Sequence, residues 1–219
     1  MADTNDPLVV KNSNFIQGGF AVVLVGRDKK RCFVHKSLLQ RRALDIGIHK
    51  GPAIDEYHIV NTNKDTFELY VHHLYTNEIQ CKVSNTTEHW DIDDQDFALV
   101  ELYGLARFLG DDITKHAVLR AFIEEAKRSH KLGKGIAPSY RAIDYIYDEE
   151  ESNLQEPLVR LFIDMCIWDK TIDDDFYEML KDSGFGRDVR KVACDKLRRG
   201  DAKSVIDKTC CDYHQLKNG

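Results

Sequence analysis

The sequence predicts an α+β fold in which a few short strands come first and helices follow to the end of the chain. Three observations carry this reading. Brief valine-rich and alternating apolar runs stand near the start, helical apolar spacing takes over beyond residue 62, and no strand–helix–strand unit recurs.

The run from Gly19 to Gly26 is short, apolar and rich in valine, which marks a buried strand. Residues 27–30 make a polar turn and residues 31–34 alternate, so the two runs read as a hairpin. Residues 35–46 carry apolar positions at helical spacing (Leu38, Leu39, Ala43 and Ile46) until the Gly47–Pro52 stretch breaks them. Residues 57–60 are a third short strand. Thr62 and Asn63 offer capping oxygens to a helix over 64–76, with Phe67, Val71, Leu74 and Tyr75 on one face. Residues 81–96 form a polar insertion carrying Trp90.

Asp94 is placed to cap the next helix, whose apolar positions are Ala98, Leu102, Leu105 and Leu109, with Gly110 as its C′ stop. Asp111 or Asp112 caps another, burying Leu119, Phe122, Ile123 and Ala126. Residues 129–139 are a linker by composition. Beyond it only helical patterns appear. Leu158, Leu161, Phe162 and Met165 share a face, Phe176, Met179 and Leu180 mark a short helix, and Val189, Val192, Cys194 and Leu197 mark a last one. The expected organisation is a flexible start (1–16), a first domain (17–130), a linker (131–138), a helical extension (139–203) and a flexible tail (204–219).

Hydrophobic residues make up 42% of the 219, enough for a core. Thirty-one basic residues against 37 acidic ones give a net charge of -6, which argues against binding a phosphate backbone. The start shows no export signal and the longest apolar run, Phe20 to Val25, is too short to cross a bilayer. The six cysteines lack framework spacing and are expected as free thiols. The expectation is a protein of the cytoplasm or nucleus, in which the Asn85-Thr86-Thr87 acceptor has no role.

Catalytic patterns are missing. There is no Gly-x-Ser-x-Gly elbow, and Gly133-Lys134-Gly135 fails the P-loop spacing. Gly184-Phe185-Gly186 follows a helix and reads as a helix C-cap and turn. The acids Asp91, Asp93, Asp94 and Asp96 lack the glycine and glutamate of a calcium loop. Cys32 with His35, and Cys210 and Cys211 with His214, are half-sites short of four ligands. Adjacent His72 and His73 diverge around a helix, one partly buried and one exposed. The basic stretch Arg187 to Arg199 is interleaved with acids, as on a solvated face. No enzyme, cofactor or metal is expected.

Several segments in order carry a resemblance. "FVHKSLL" contributes Phe33, His35, Lys36, Leu38 and Leu39. The helix that follows brings Phe67 beside Glu68, and "LYTNEI" brings Leu74 and Tyr75. "ALVELYGLARFLGDD" covers Ala98 to Asp112. Together they resemble the BTB/POZ family in the form common in fungi, over residues 18–128, with an extension like that of fungal members over 139–200. The resemblance implies a small mixed sheet flanked by helices, followed by an all-helical extension. It also implies an interaction module that binds protein partners or a second copy of itself, with no nucleic acid and no membrane. Two departures stand out: Phe20-Ala21 replaces the usual acid before the first strand, and Ala43 to Ile46 replaces an aromatic pair.

Members that recruit a cullin ubiquitin-ligase scaffold often carry an apolar residue, any residue and a glutamate before the third strand. Ile54, Asp55 and Glu56 occupy that place here. The alternative function is therefore a substrate adaptor, with Ile54 as an apolar knob and Glu56 as a polar anchor. The contrary reading tucks Ile54 onto its own core and leaves Glu56 solvated.

Overall fold

The computed structural model describes residues 19–42, 49–50, 56–79, 92–147, 154–169, 174–200 and 203–214. Strands and helices are mixed, and helix dominates. Strands β1 (Phe20–Val25), β2 (Lys30–His35), β3 (His49–Lys50) and β4 (Glu56–Ile59) form one sheet in the order β2-β1-β4-β3. β1 pairs antiparallel with β2 and parallel with β4, while β3 runs antiparallel to β4. The predicted hairpin is present, turning through Gly26 at φ +73°. A side chain there would be strained by that backbone angle, and its Cβ would press on the Thr62 carbonyl at 3.2 Å.

Alternation along the strands divides the sheet. Ala21, Val23, Val25, Val34 and Ile59 face inward and are buried. Helices cover that side. α1 (Lys36–Arg42) follows β2 directly and buries Leu39. The continuation expected to residue 46 lies outside the described residues. α2 (Lys64–Thr76) starts where the sequence puts it, because Asn63 Oδ1 accepts the Thr66 N–H at 2.8 Å. It buries Phe67, Tyr70, His73 and Leu74. Tyr75, expected on this apolar face, is instead 42% exposed. Tyr70, not assigned to the core by the spacing, is fully buried there.

α3 (Ile92–Phe108) begins two residues before Asp94, so Asp94 stands inside its first turn and not at its cap. It ends as foreseen. Gly110 takes φ +69°, the Asp111 N–H reaches the Ala106 carbonyl at 2.8 Å, and that of Gly110 reaches Arg107 at 3.2 Å. Asp111 then caps α4 (Asp112–Lys131), whose Leu119, Phe122, Ile123 and Ala126 are buried as predicted.

Across the linker, Ile136 is buried, and Asp169 Oδ2 accepts the N–H groups of Ile136 and Ala137 at 2.7 and 2.6 Å. α5 (Tyr140–Ile146), α6 (Pro157–Trp168), α7 (Asp174–Lys181) and α8 (Gly184–Arg199) follow. Every residue of α6 from Leu158 to Cys166 except Arg160 is buried, the pattern of a central helix. Phe162 meets Phe122 of α4 edge to face at 5.0 Å, so one hydrophobic cluster runs from β1 into these helices.

Three expectations about the C-terminal part are corrected. In α8, Cys194 and Leu197 face solvent, with Leu197 82% exposed, while Val189 and Val192 are only partly covered. The helix is buried through its first turn instead. Ser183 caps it, and Gly184, Phe185 and Gly186 open it; they do not close the preceding helix. The segment 203–214, expected to fray, is docked. Its 3-10 turn Val205–Asp207 buries Val205, and α9 (Cys210–His214) buries Tyr213. Those two side chains anchor the stretch, with Ile206 and Cys210 packed beside them.

Among the described residues no helix is long and apolar enough to cross a membrane.

Candidate functional site

The face of the sheet turned away from the core carries Phe20, Val22 and Leu24 from β1, Arg31, Phe33 and His35 from β2, and Glu56 and His58 from β4. β-strand alternation places them there. Phe33 follows Cys32, which faces inward against the core, so the two point to opposite faces as the sequence implied. Phe20 is 56% exposed and Phe33 62%. Water on two phenyl rings is unfavourable, and two large apolar side chains left in solvent on one strand face are a feature of contact sites.

This strip is held in place. Phe20 lies opposite His35, with ring centroids 4.3 Å apart. The Tyr75 hydroxyl, from the last turn of α2, accepts the His35 backbone N–H at 3.2 Å and bonds His35 Nδ1 at 2.6 Å. The outward turn of Tyr75 thus has a cause: its oxygen fastens the corner where β2 becomes α1. Four motif positions of the sequence (Phe33, His35, Leu74 and Tyr75) therefore divide their labour. Leu74 faces inward in the same cluster as Leu39 and Phe67, and Phe33, His35 and Tyr75 remain at the surface with Phe20, which the sequence placed in a buried strand but which is 56% exposed. Lys36 and Leu38 are half-buried in the first turn of α1.

Of the proposed cullin tripeptide, Ile54 and Asp55 lie outside the described residues. Glu56 is the first residue of β4, half-buried, and its carboxylate meets His58 Nε2 at 2.9 Å on the same face. It is not simply solvated.

Other polar groups with chemical potential are already committed. The carboxylate of Glu101, bordering a cavity of about 370 Å³ beside the β1–β2 turn, accepts from Asn63 Nδ2 at 3.0 and 3.1 Å and from Thr66 Oγ1 at 2.9 Å. Burial raises the thiol pKa of Cys166 well above the ordinary range, and that of Cys32 also rises, so neither is an activated nucleophile. His73 is the buried one of the adjacent histidines, and His72 is half-buried. Among the described residues no three His, Cys, Asp or Glu side chains cluster as metal ligands.

No family model matches the chain, and neither the curated proteins nor the solved structures contain a match to it.

Proposed function

We propose that this chain is a protein–protein interaction module of the BTB/POZ type, and that it associates through the exposed aromatic corner of its outward sheet face, at Phe20 and Phe33. The observation that carries the reading is the exposed aromatic strip of Phe20 and Phe33, fastened at one end by the His35–Tyr75 bond. Rigid aromatic side chains give contact area at small entropic cost, which suits a binding surface. The BTB/POZ assignment is supported by the ordered motif segments and by the strands-then-helices order.

Light scattering on the purified protein tests it, beside proximity labelling in cells. The expected result is either a species heavier than the 25.2 kDa chain or specifically labelled partners, with both lost in a Phe20→Ser/Phe33→Ser variant. A monomer that labels nothing sinks the proposal.

A narrower reading makes the module a cullin adaptor. What favours it is that Glu56 lies on this same face, opposite Val22 in the parallel register with β1. The adaptor role requires the carboxylate to exchange His58 for a partner. Pull-down of a cullin by wild type and its loss in Ile54→Asp/Glu56→Ala is the expected outcome; absence of capture by wild type ends this reading.

A further inference from the structure

A second surface lies on the helical part, independent of the sheet face. α6, α8 and the 3-10 turn enclose a cleft of about 300 Å³ bordered by Arg160, Lys196, Arg199 and Lys208, with two carboxylates, Asp164 and Asp195. Among the described lining residues four cations stand against two anions, on a chain whose net charge is -6.

The arrangement concentrates that excess. Asp164 is buried, and its two oxygens stand 2.6 Å from Lys196 Nζ and 2.6 Å from Lys208 Nζ. One carboxylate cannot neutralise two ammonium groups. Tyr213 donates a further hydrogen bond to it at 3.1 Å. Asp195 is drawn toward Arg198, 3.7 Å away on the exposed side of α8. Arg160 gives one N–H to the Tyr213 carbonyl at 2.8 Å, and neither it nor Arg199 forms an ion pair among the described residues. Partial burial lowers the pKa of Arg160, opposed by the charge of Asp164 one turn along α6. Leu154, Ile163 and Val192 supply apolar wall beside these charges.

A guanidinium group offers forked N–H donors that match the oxygens of a phosphate, and low-dielectric walls strengthen the attraction. Apolar wall next to the cations fits a ligand with an apolar flank, which a peptide has and inorganic phosphate lacks. We propose that this cleft binds a phosphorylated segment of a protein partner, its phosphate held by Arg160 and Arg199 and an adjacent apolar side chain resting on Leu154 and Val192.

The test uses the full chain and three immobilised degenerate peptide pools that differ only at a fixed central phosphoserine, serine or aspartate, with inorganic phosphate as competitor. Retention by the phosphoserine pool above the serine pool is expected. It should weaken by about ten-fold in Arg199→Gln, the loss of one charged hydrogen-bonding group. Arg199 is exposed, so its variant separates binding from folding; Arg160→Gln should act alike if it keeps the wild-type unfolding midpoint. Arg190→Gln, on the same helix but off the cleft, should change nothing. Equal retention by the serine pool, or no change in Arg199→Gln, overturns the proposal. Half-competition by inorganic phosphate at the peptide's own concentration would make the site one for free anions and overturn the peptide. The stretch Asp148 to Glu151 is acidic and lies just before Leu154. If only Asp148→Asn/Glu149→Gln/Glu150→Gln/Glu151→Gln binds the pool, the occupant is the chain itself and the partner reading fails.

Discussion

Arg42 Nε stands 3.3 Å from both carboxylate oxygens of Asp111, a residue 69 positions further along the chain. Around this pair Tyr70 donates to Asp111 at 3.1 Å, Thr114 donates both its N–H and its hydroxyl to the same carboxylate, and Arg42 also reaches Asn77 at 3.0 Å. The end of α1, the length of α2 and the α3–α4 corner are thereby tied at one buried polar point.

Asp111→Ala removes the cap of α4 and strands the Arg42 charge, so stability should fall by about 3–5 kcal/mol. Chemical denaturation measures this directly. Adding Arg42→Met should recover part of the loss, because the uncompensated charge goes with it. A double variant whose loss equals the sum of the two single losses would show that the residues do not couple.

His73 is buried beside this knot. Burial first, then the Arg42 charge, lowers its pKa below the ordinary 6.5, outweighing the pull of the Glu78 backbone and Asp111. The unfolded chain therefore takes up the proton before the folded one does. Stability from this group is intact above pH 6.5 and declines as the pH drops through the window below it, by up to about 1.4 kcal/mol per pH unit. His73→Leu should flatten that acid limb in urea midpoints recorded from pH 7.5 to 5; a limb unchanged in slope would assign it to other groups.

Gly186 illustrates the limit of helix propensity. Alanine in a helix interior ordinarily stabilises relative to glycine by about 1 kcal/mol. Here a Cβ would stand 1.8 Å from the Leu180 carbonyl oxygen, so Gly186→Ala should destabilise, on the order of 3 kcal/mol, by forcing α7 and α8 apart. An unchanged or raised melting temperature would show that the approach of the two helices is looser.

Phe20→Ser and Phe33→Ser remove solvent-exposed rings and no core. Each should leave the unfolding free energy measured in urea within about 0.5 kcal/mol of wild type, as surface changes do. The same variants should reduce association in sedimentation, and a large stability loss instead would mean that the rings support the fold.

The sequence announced α2 almost residue for residue, because the Asn63 cap, an apolar stripe and the polar residues around it all agreed. The Gly110–Asp111 corner was legible for a similar reason: a stop signal and a start signal stood side by side. The face of α8 was not. Cys194 lies five residues beyond Val189, which brings it nearly to the far side of a 3.6-residue turn, so the four apolar positions never shared a stripe. What buries that helix is its first turn, the Phe185 ring between two glycines, and a single aromatic leaves no hydrophobic period to read. The docked tail rests on Val205 and Tyr213, too sparse a pair to stand out in a polar segment. The surface strip was half visible. Phe33, His35 and Tyr75 were picked out as motif residues, but their exposure depends on the Tyr75–His35 bond across 40 positions, which no local pattern encodes.

The edge-to-face meeting of Phe122 with Phe162 has a practical outcome for anyone dissecting this molecule. Severing the chain near residue 136 would leave one ring on each fragment with its mate gone, each fragment baring a greasy scar. Neither half is a fair stand-in for the whole, and sticky, poorly behaved truncations should be read as injury before they are read as biology.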